Sequence, residues 1–168
     1  MMTSRTLAAV DAINDRVGKA ASYLVLATMG ACVIEVVARY VFNRPTIWAY
    51  EFEQLTCAVL YILVGGFVLY HDGHVRIEVF YAKFGHRFQA FIDVVLCYPL
   101  LLLMAGGFTY VGVIYAWESI AIWEHSYTSW GPPLWPVKLM LPVGSFLLTL
   151  QVAANYIRRI IDLKGPCV

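Results

Sequence analysis

The residues with types and spacings suited to chemistry are few, and most sit in apolar surroundings. Glu35 and Arg39 are four apart, which places both on one helix face where an ion pair lowers the cost of each charge. Glu51 and Glu53 open the next apolar run, a position that a helix N-terminus favours for carboxylates. Two readings stand for this group. It is a structural clasp, with Glu51 reaching Arg39 across a hairpin, or it is a proton site, because ionisable residues inside a bilayer mark ion pathways. Asp93 falls in the first turns of a third apolar run, and Lys138 near the start of a fourth, where its stem can snorkel to the surface. No ladder of ionisable groups continues through the middle of any run, so no relay is expected. His71 and His74 flank Asp72 and Gly73, which invites a metal reading. A metal ion needs three or four converging ligands, however, and a polar turn at a helix end accounts for the pattern as well. Haem between helices requires histidines deep in facing spans, whereas His86 and His125 lie in or near loops. Ser126 and Ser129 stand near His125 without the turn that exposes a nucleophile. Cys32, Cys57, Cys97 and Cys167 are too scattered for a disulfide framework or a zinc cluster and read as small buried hydrophobes. The expectation is therefore no catalytic residue, no cofactor and no metal.

The elements that position these residues follow from composition. Of 168 residues, 61% are hydrophobic and 14% charged, against about 45–50% and about 25% in soluble domains. A hydrocarbon core of roughly 30 Å takes about 20 apolar residues per helix, and the chain divides into four such runs, at residues 20–42, 48–70, 88–117 and 133–157. The expected fold class is all-α, a single membrane domain of four transmembrane helices. Asn43, Arg44 and Pro45 make the first turn. Pro99 and Pro142 are expected to kink the third and fourth helices, and Pro132, Pro133 and Pro136 suit a helix start. Nine of the twelve Lys and Arg residues fall in the N-terminal segment, the middle loop and the C-terminal segment, which places both termini in the cytoplasm. The third loop then faces outward and carries Trp123, Tyr127, Trp130 and Trp135, suited to an interfacial aromatic belt.

Two segments are amphipathic. In residues 3–19, Leu7, Val10, Ile13 and Val17 share a face opposite Arg5, Arg16 and Lys19, which fits a helix lying in the membrane interface. The long polar region before a full-length span does not resemble a cleavable signal. From His74 onward, Ile77, Phe80, Tyr81, Phe84, Phe88 and Phe91 recur at helical spacing with Arg76, Lys83 and Arg87 between them, as in a second interfacial helix or an extension of the third span. Ala27 with Ala31, Gly65 with Gly66, Gly106 with Gly107, Gly112 with Ala116, and Gly144 with Ser145 allow helices to approach closely, within the bundle or against another subunit. A net charge of +1 provides no basic surface for nucleic acid.

Taken in order, the motifs resemble a known family. Arg39-Tyr40-Val41-Phe42-Asn43 closes the first span, and Trp48 and Glu51 open the second. Gly65-Gly66 precedes the segment His74 to Glu78, which includes Arg76; Ser129, Pro132, Trp135, Leu141-Pro142-Val143-Gly144 and Leu150-Gln151 surround the last span. The chain resembles the small membrane subunit, DctQ-like, of tripartite ATP-independent periplasmic (TRAP) transporters. The resemblance implies a bacterial inner-membrane protein and a noncatalytic scaffold in ion-coupled import of an organic acid or related small solute. It implies as partners a large TRAP membrane subunit that carries the substrate and ion sites, a periplasmic substrate-binding protein, and membrane lipids. Glu35, Arg39, Trp48, Glu51, His74 and Arg76 then become candidates for structural or subunit-interface positions. The residues alone leave open a redox or quinone-linked membrane enzyme, and a small homo-oligomeric channel or exporter.

Overall fold

The computed structural model describes residues 2–71 and 93–164. Four helices in it are long and apolar enough to cross a membrane: α1 (Met2–Tyr40), α2 (Ala49–Tyr70), α3 (Tyr98–Ala121) and α4 (Trp135–Lys164). They form a row rather than a square. α2 packs between α1 and α4, and α4 between α2 and α3, while α1 also touches α4. One end of the row, the loop end, holds the α1–α2 and α3–α4 connections; the other, the terminal end, holds the start of α1 and the end of α4.

Helix α1 departs most from the sequence expectation. No separate interfacial segment precedes a first span; one uninterrupted helix of 39 residues, about 58 Å long, runs from the N-terminus to Tyr40. The reason is a stripe at alternating spacings of three and four. Leu7, Asn14, Ala21, Thr28 and Glu35, with Val10, Val17, Leu24, Ala31 and Ala38 between them, are the less exposed positions. A seven-residue repeat of this kind keeps one seam facing a partner over many turns, so residues 7–18 continue the seam that the apolar span begins. Ile13, which the sequence places on one face with Leu7, Val10 and Val17, lies outside this seam and is 48% exposed.

Helix α3 follows the same rule with a seam of small residues. Ala105, Gly112, Ala116 and Ser119 are buried against α4, and almost everything else on α3 faces outward. Lipid tails provide little hydrophobic drive between helices, so close van der Waals packing has to do it. The glycines mark where backbones meet. A Cβ on Gly144 would overlap the Ile62 side chain and lie 2.8 Å from the Ile62 carbonyl oxygen, and one on Gly112 would overlap Leu141 and lie 3.3 Å from Pro142 N.

The prolines act differently from one another. Pro142 lies inside α4, where Ser145 Oγ donates to the carbonyls of Leu141 (2.8 Å) and Pro142 (3.2 Å). Pro99 follows directly on a π-helical turn, Asp93–Cys97, and Cys97 keeps helical backbone angles (φ −68°, ψ −54°), so the helical chain runs unbroken from that turn through Pro99. A proline within a helix has no N–H to donate to the preceding turn, and the wider π turn stands where that hydrogen bond is missing. Helix α3 extends to Ala121, four residues beyond the expected span, and α4 runs on to Lys164.

Candidate functional site

At the loop end, the Glu35 carboxylate is the fastening point of the first hairpin. Arg39 donates to its Oε1 from Nε (3.0 Å) and from the guanidinium terminus (2.5 Å), as the spacing of four predicts. The other oxygen accepts from the Thr46 backbone N–H (3.0 Å) and hydroxyl, so one carboxylate ties the end of α1 to the connection before α2. Asn43 completes the turn in the left-handed region (φ 49°), which asparagine tolerates better than most residues.

The expected reach of Glu51 to Arg39 is not made. Glu51 is buried in the first turn of α2 and accepts a 2.5 Å hydrogen bond from the Thr128 hydroxyl. Thr128 Oγ1 in turn accepts from the Gly131 N–H at 3.3 Å. Glu51 therefore fastens α2 to the α3–α4 connection, because the buried side of α2 at this level faces that connection. Trp48 follows it there, packing against Trp130 (6.5 Å between centroids) and Phe52 (6.1 Å).

The α3–α4 connection is itself braced. Ser126 N–H donates to the Pro132 carbonyl and Leu134 N–H to the Glu124 carbonyl, both at 2.9 Å, and Trp123 stacks edge-on against Trp135 at 5.5 Å. Lys138 reaches this connection from the start of α4. Its ammonium meets Glu124 at 2.5 Å and lies 4.1 Å from the Tyr115 ring centroid, a cation held by a carboxylate and a π face. The Lys138 ammonium holds the Glu124 carboxyl below the usual carboxylate range.

The terminal end holds a network that the sequence reading did not single out. Asn14, 1% exposed, and Gln151, fully buried, join α1 to α4: Asn14 Nδ2 donates to Gln151 Oε1 at 2.9 Å and to the Val10 carbonyl at 3.2 Å. Gln151 Nε2 donates to Asp11 Oδ1 (3.0 Å) and Asn155 Oδ1 (3.3 Å). Arg158 donates to Asn155 at 3.3 Å and pairs with Asp11. Asn155 Nδ2 reaches the Leu69 carbonyl at 3.3 Å, which adds the end of α2. Asn14 Oδ1 fills the space that a Cβ on Gly66 would take, so the glycine is what lets α1 and α2 meet there. Beside the network, Lys19 pairs with Asp15 at 2.6 Å. His71 packs on Phe67 and Tyr70 with its Nε2 3.4 Å from Asp15.

Asn14 and Gln151 carried one signal in the sequence: each is an amide on a stripe of otherwise small or apolar residues. The partner of either could not be found without the helix order. Of the sequence candidates, Glu35 and Arg39 meet each other; Trp48 and Glu51 meet the third loop; His74 and Arg76 lie outside the described residues. Among the described residues, no group of three or more His, Cys, Asp or Glu side chains could hold a metal ion. Glu53 and Glu118 have no hydrogen-bond partner among the described residues, and both lie near the loop end, about one turn inside their helices.

The charged and amide groups brought together in this way hold helices and connections to one another. Comparison with curated proteins finds no matching relative. A family model does match, over residues 28–162, from partway along α1 to near the end of α4, and its description is "Tripartite ATP-independent periplasmic transporters, DctQ component". With four membrane-spanning helices and a match over most of its length, the chain belongs to the DctQ family and is a TRAP transporter small membrane subunit.

Proposed function

We propose that this chain is the noncatalytic scaffold of an ion-coupled importer of organic acids or related small solutes. In this reading a large membrane subunit carries the solute and ion sites, and a periplasmic binding protein delivers the solute. The chain resides in the bacterial inner membrane with both termini in the cytoplasm, so the loop end faces the periplasm.

The observation that supports this most is that most buried polar side chains bond within the chain; among the described residues, Asn14 Oδ1 and Ser119 Oγ are the buried side-chain atoms left without a partner. Glu35, Glu51, Asp11, Asn14 and Gln151 all spend hydrogen bonds on neighbours within the chain. A solute or ion path needs polar groups aimed into a shared space, whereas groups bonded to one another stiffen a body that others move against. The orientation is supported by the nine Lys and Arg residues in the two terminal segments and the middle loop.

The test is reconstitution in proteoliposomes of the chain with the large subunit and binding protein of its own operon. Solute uptake driven by an ion gradient should require all three, and the chain alone should transport nothing. Transport by the chain alone, or a haem or flavin absorption band in the purified protein, would overturn the assignment.

A further inference from the structure

The outward faces of the four helices differ in chemistry. On α4 the exposed large residues are apolar, Val143, Phe146, Ile157 and Ile161, and along the middle of α1 they are Val25, Leu26, Met29, Val33 and Ile34, with a single tyrosine, Tyr23, nearer the terminal end. Such faces suit lipid tails. Helix α2 has an open line of another kind: Tyr50 (73% exposed), Gln54, Cys57 and Tyr61 (76% exposed), spaced four, three and four apart. Neither Gln54 nor Tyr61 has a hydrogen-bond partner among the described residues.

Depth makes this line informative. At 1.5 Å per residue, Gln54 lies about 9 Å below Trp48, and Tyr61 lies about 20 Å from Trp48 and about 15 Å from His71. The Tyr61 hydroxyl therefore stands near the middle of a roughly 30 Å hydrocarbon layer, too far from either surface to reach water. A hydroxyl or amide left unpaired in hydrocarbon is costly, and lipid tails provide no partner. On α3, Tyr110 is also exposed at mid-depth, but Leu103, Ile114 and Trp117 share its face and no second polar side chain lines up with it.

We propose that α2 docks the large membrane subunit through the line Tyr50, Gln54, Cys57 and Tyr61. This rests on the function proposed above for the identity of the occupant. The matching surface is a transmembrane helix that presents hydrogen-bonding groups, side-chain amides or hydroxyls or a carbonyl bared by small residues, opposite Tyr61 at mid-depth and opposite Gln54 nearer the loop end. The outer faces of α1 and α4 remain to lipid.

The test uses the whole transporter in native membranes, with a benzophenone amino acid placed singly at position 54 or 61, and at 33 or 146 as lipid-face controls. Illumination should join the chain to the large subunit from 54 and 61. Adducts to the large subunit only from 33 or 146, or adducts from 54 and 61 only to lipid or a second copy, would overturn the docking face while leaving the proposed function standing. A chain that brings down no large membrane protein at all would overturn the function itself. A second measurement removes the polar groups alone. Tyr61→Phe and Gln54→Leu should each lower recovery of the large subunit by about three- to fifteen-fold. The melting temperature of the isolated chain should not change, since neither group bonds within it. Unchanged recovery would overturn the proposal.

Discussion

Replacing Gln151 by leucine tests whether the terminal-end network holds α1 against α4. Leucine is close in size, so the change removes hydrogen bonds without opening a large cavity. Three bonds go: from Asn14 (2.9 Å), to Asp11 (3.0 Å) and to Asn155 (3.3 Å). None of the partners is stranded. Asn14 Nδ2 keeps the Val10 carbonyl, Asp11 keeps Arg158, and Asn155 keeps Arg158 and Leu69. The loss is therefore that of the bonds and not of an orphaned charge. Hydrogen bonds between membrane helices average about 0.6 kcal/mol, and one to a charged group is worth about 1.5–3 kcal/mol. With the gain from burying leucine set against them, Gln151→Leu should destabilise by about 2 kcal/mol. That corresponds to a fall in melting temperature of roughly 4–8 °C for a chain of this size. Thermal unfolding in mild detergent, with Phe146→Leu on the exposed face as control, measures it. A cycle with Asn14→Ala isolates the shared bond, and its coupling should fall between about 0.6 and 1.7 kcal/mol. A Gln151→Leu protein as stable as the parent, or single changes that simply add, would refute the view that these amides bind the helices together.

Four further outcomes follow from the geometry. Gly144→Ala should destabilise by about 1–3 kcal/mol, because the new Cβ meets backbone atoms of Ile62 at 2.8 and 3.0 Å, whereas Gly30→Ala, with nothing within 4 Å, should stabilise by up to about 1 kcal/mol; paired thermal melts read both signs. Thr46→Val removes a hydroxyl from Glu35 but keeps the 3.0 Å backbone bond, so a loss of about 1 kcal/mol and faster proteolysis of the α1–α2 connection are expected. Glu51→Leu frees Thr128 from α2, and limited proteolysis should then cut the α3–α4 connection sooner, while Glu51→Gln, which keeps an acceptor, should largely restore protection. Glu124 has a lowered pKa in the folded protein, so its contribution is complete above the ordinary carboxylate value and is lost as pH falls through the lowered one. Tryptophan fluorescence from Trp123, Trp130 and Trp135 should change on acidification below about pH 4, and Lys138→Met should flatten that change.

Much of the fold was legible because a bilayer imposes a simple rule. Unbroken apolar runs of span length separated by Asn43-Arg44-Pro45 and by the Pro132-Pro133 segment mark four helices. The Glu35–Arg39 pair was legible because its spacing is local. Contacts between distant segments were not. Glu51 follows Arg39 by only twelve residues, yet the packing of α2 on α4 brings the third loop over it and gives it Thr128. The packing of residues 7–18 was not legible for a related reason. Their amphipathic pattern fits a helix on the membrane surface as well as one that packs on another helix, and only the seven-residue register shared with Ala21, Thr28 and Glu35 separates the two.

The sequence by itself determined that this chain crosses the membrane four times, where its charges concentrate, and, through motifs in order along its length, which family it resembles. These properties depend on transfer into lipid and on neighbours a few residues apart, quantities that add along a chain. The tertiary structure alone decided that the helices stand in the order α1, α2, α4, α3, that Asn14 meets Gln151 across 137 residues, and that α2 leaves Gln54 and Tyr61 open on its outer face. Those outcomes depend on which small-residue seams fit together. A seam such as Ala105, Gly112 and Ala116 makes close approach possible, and the complementary shape that uses it lies on another helix.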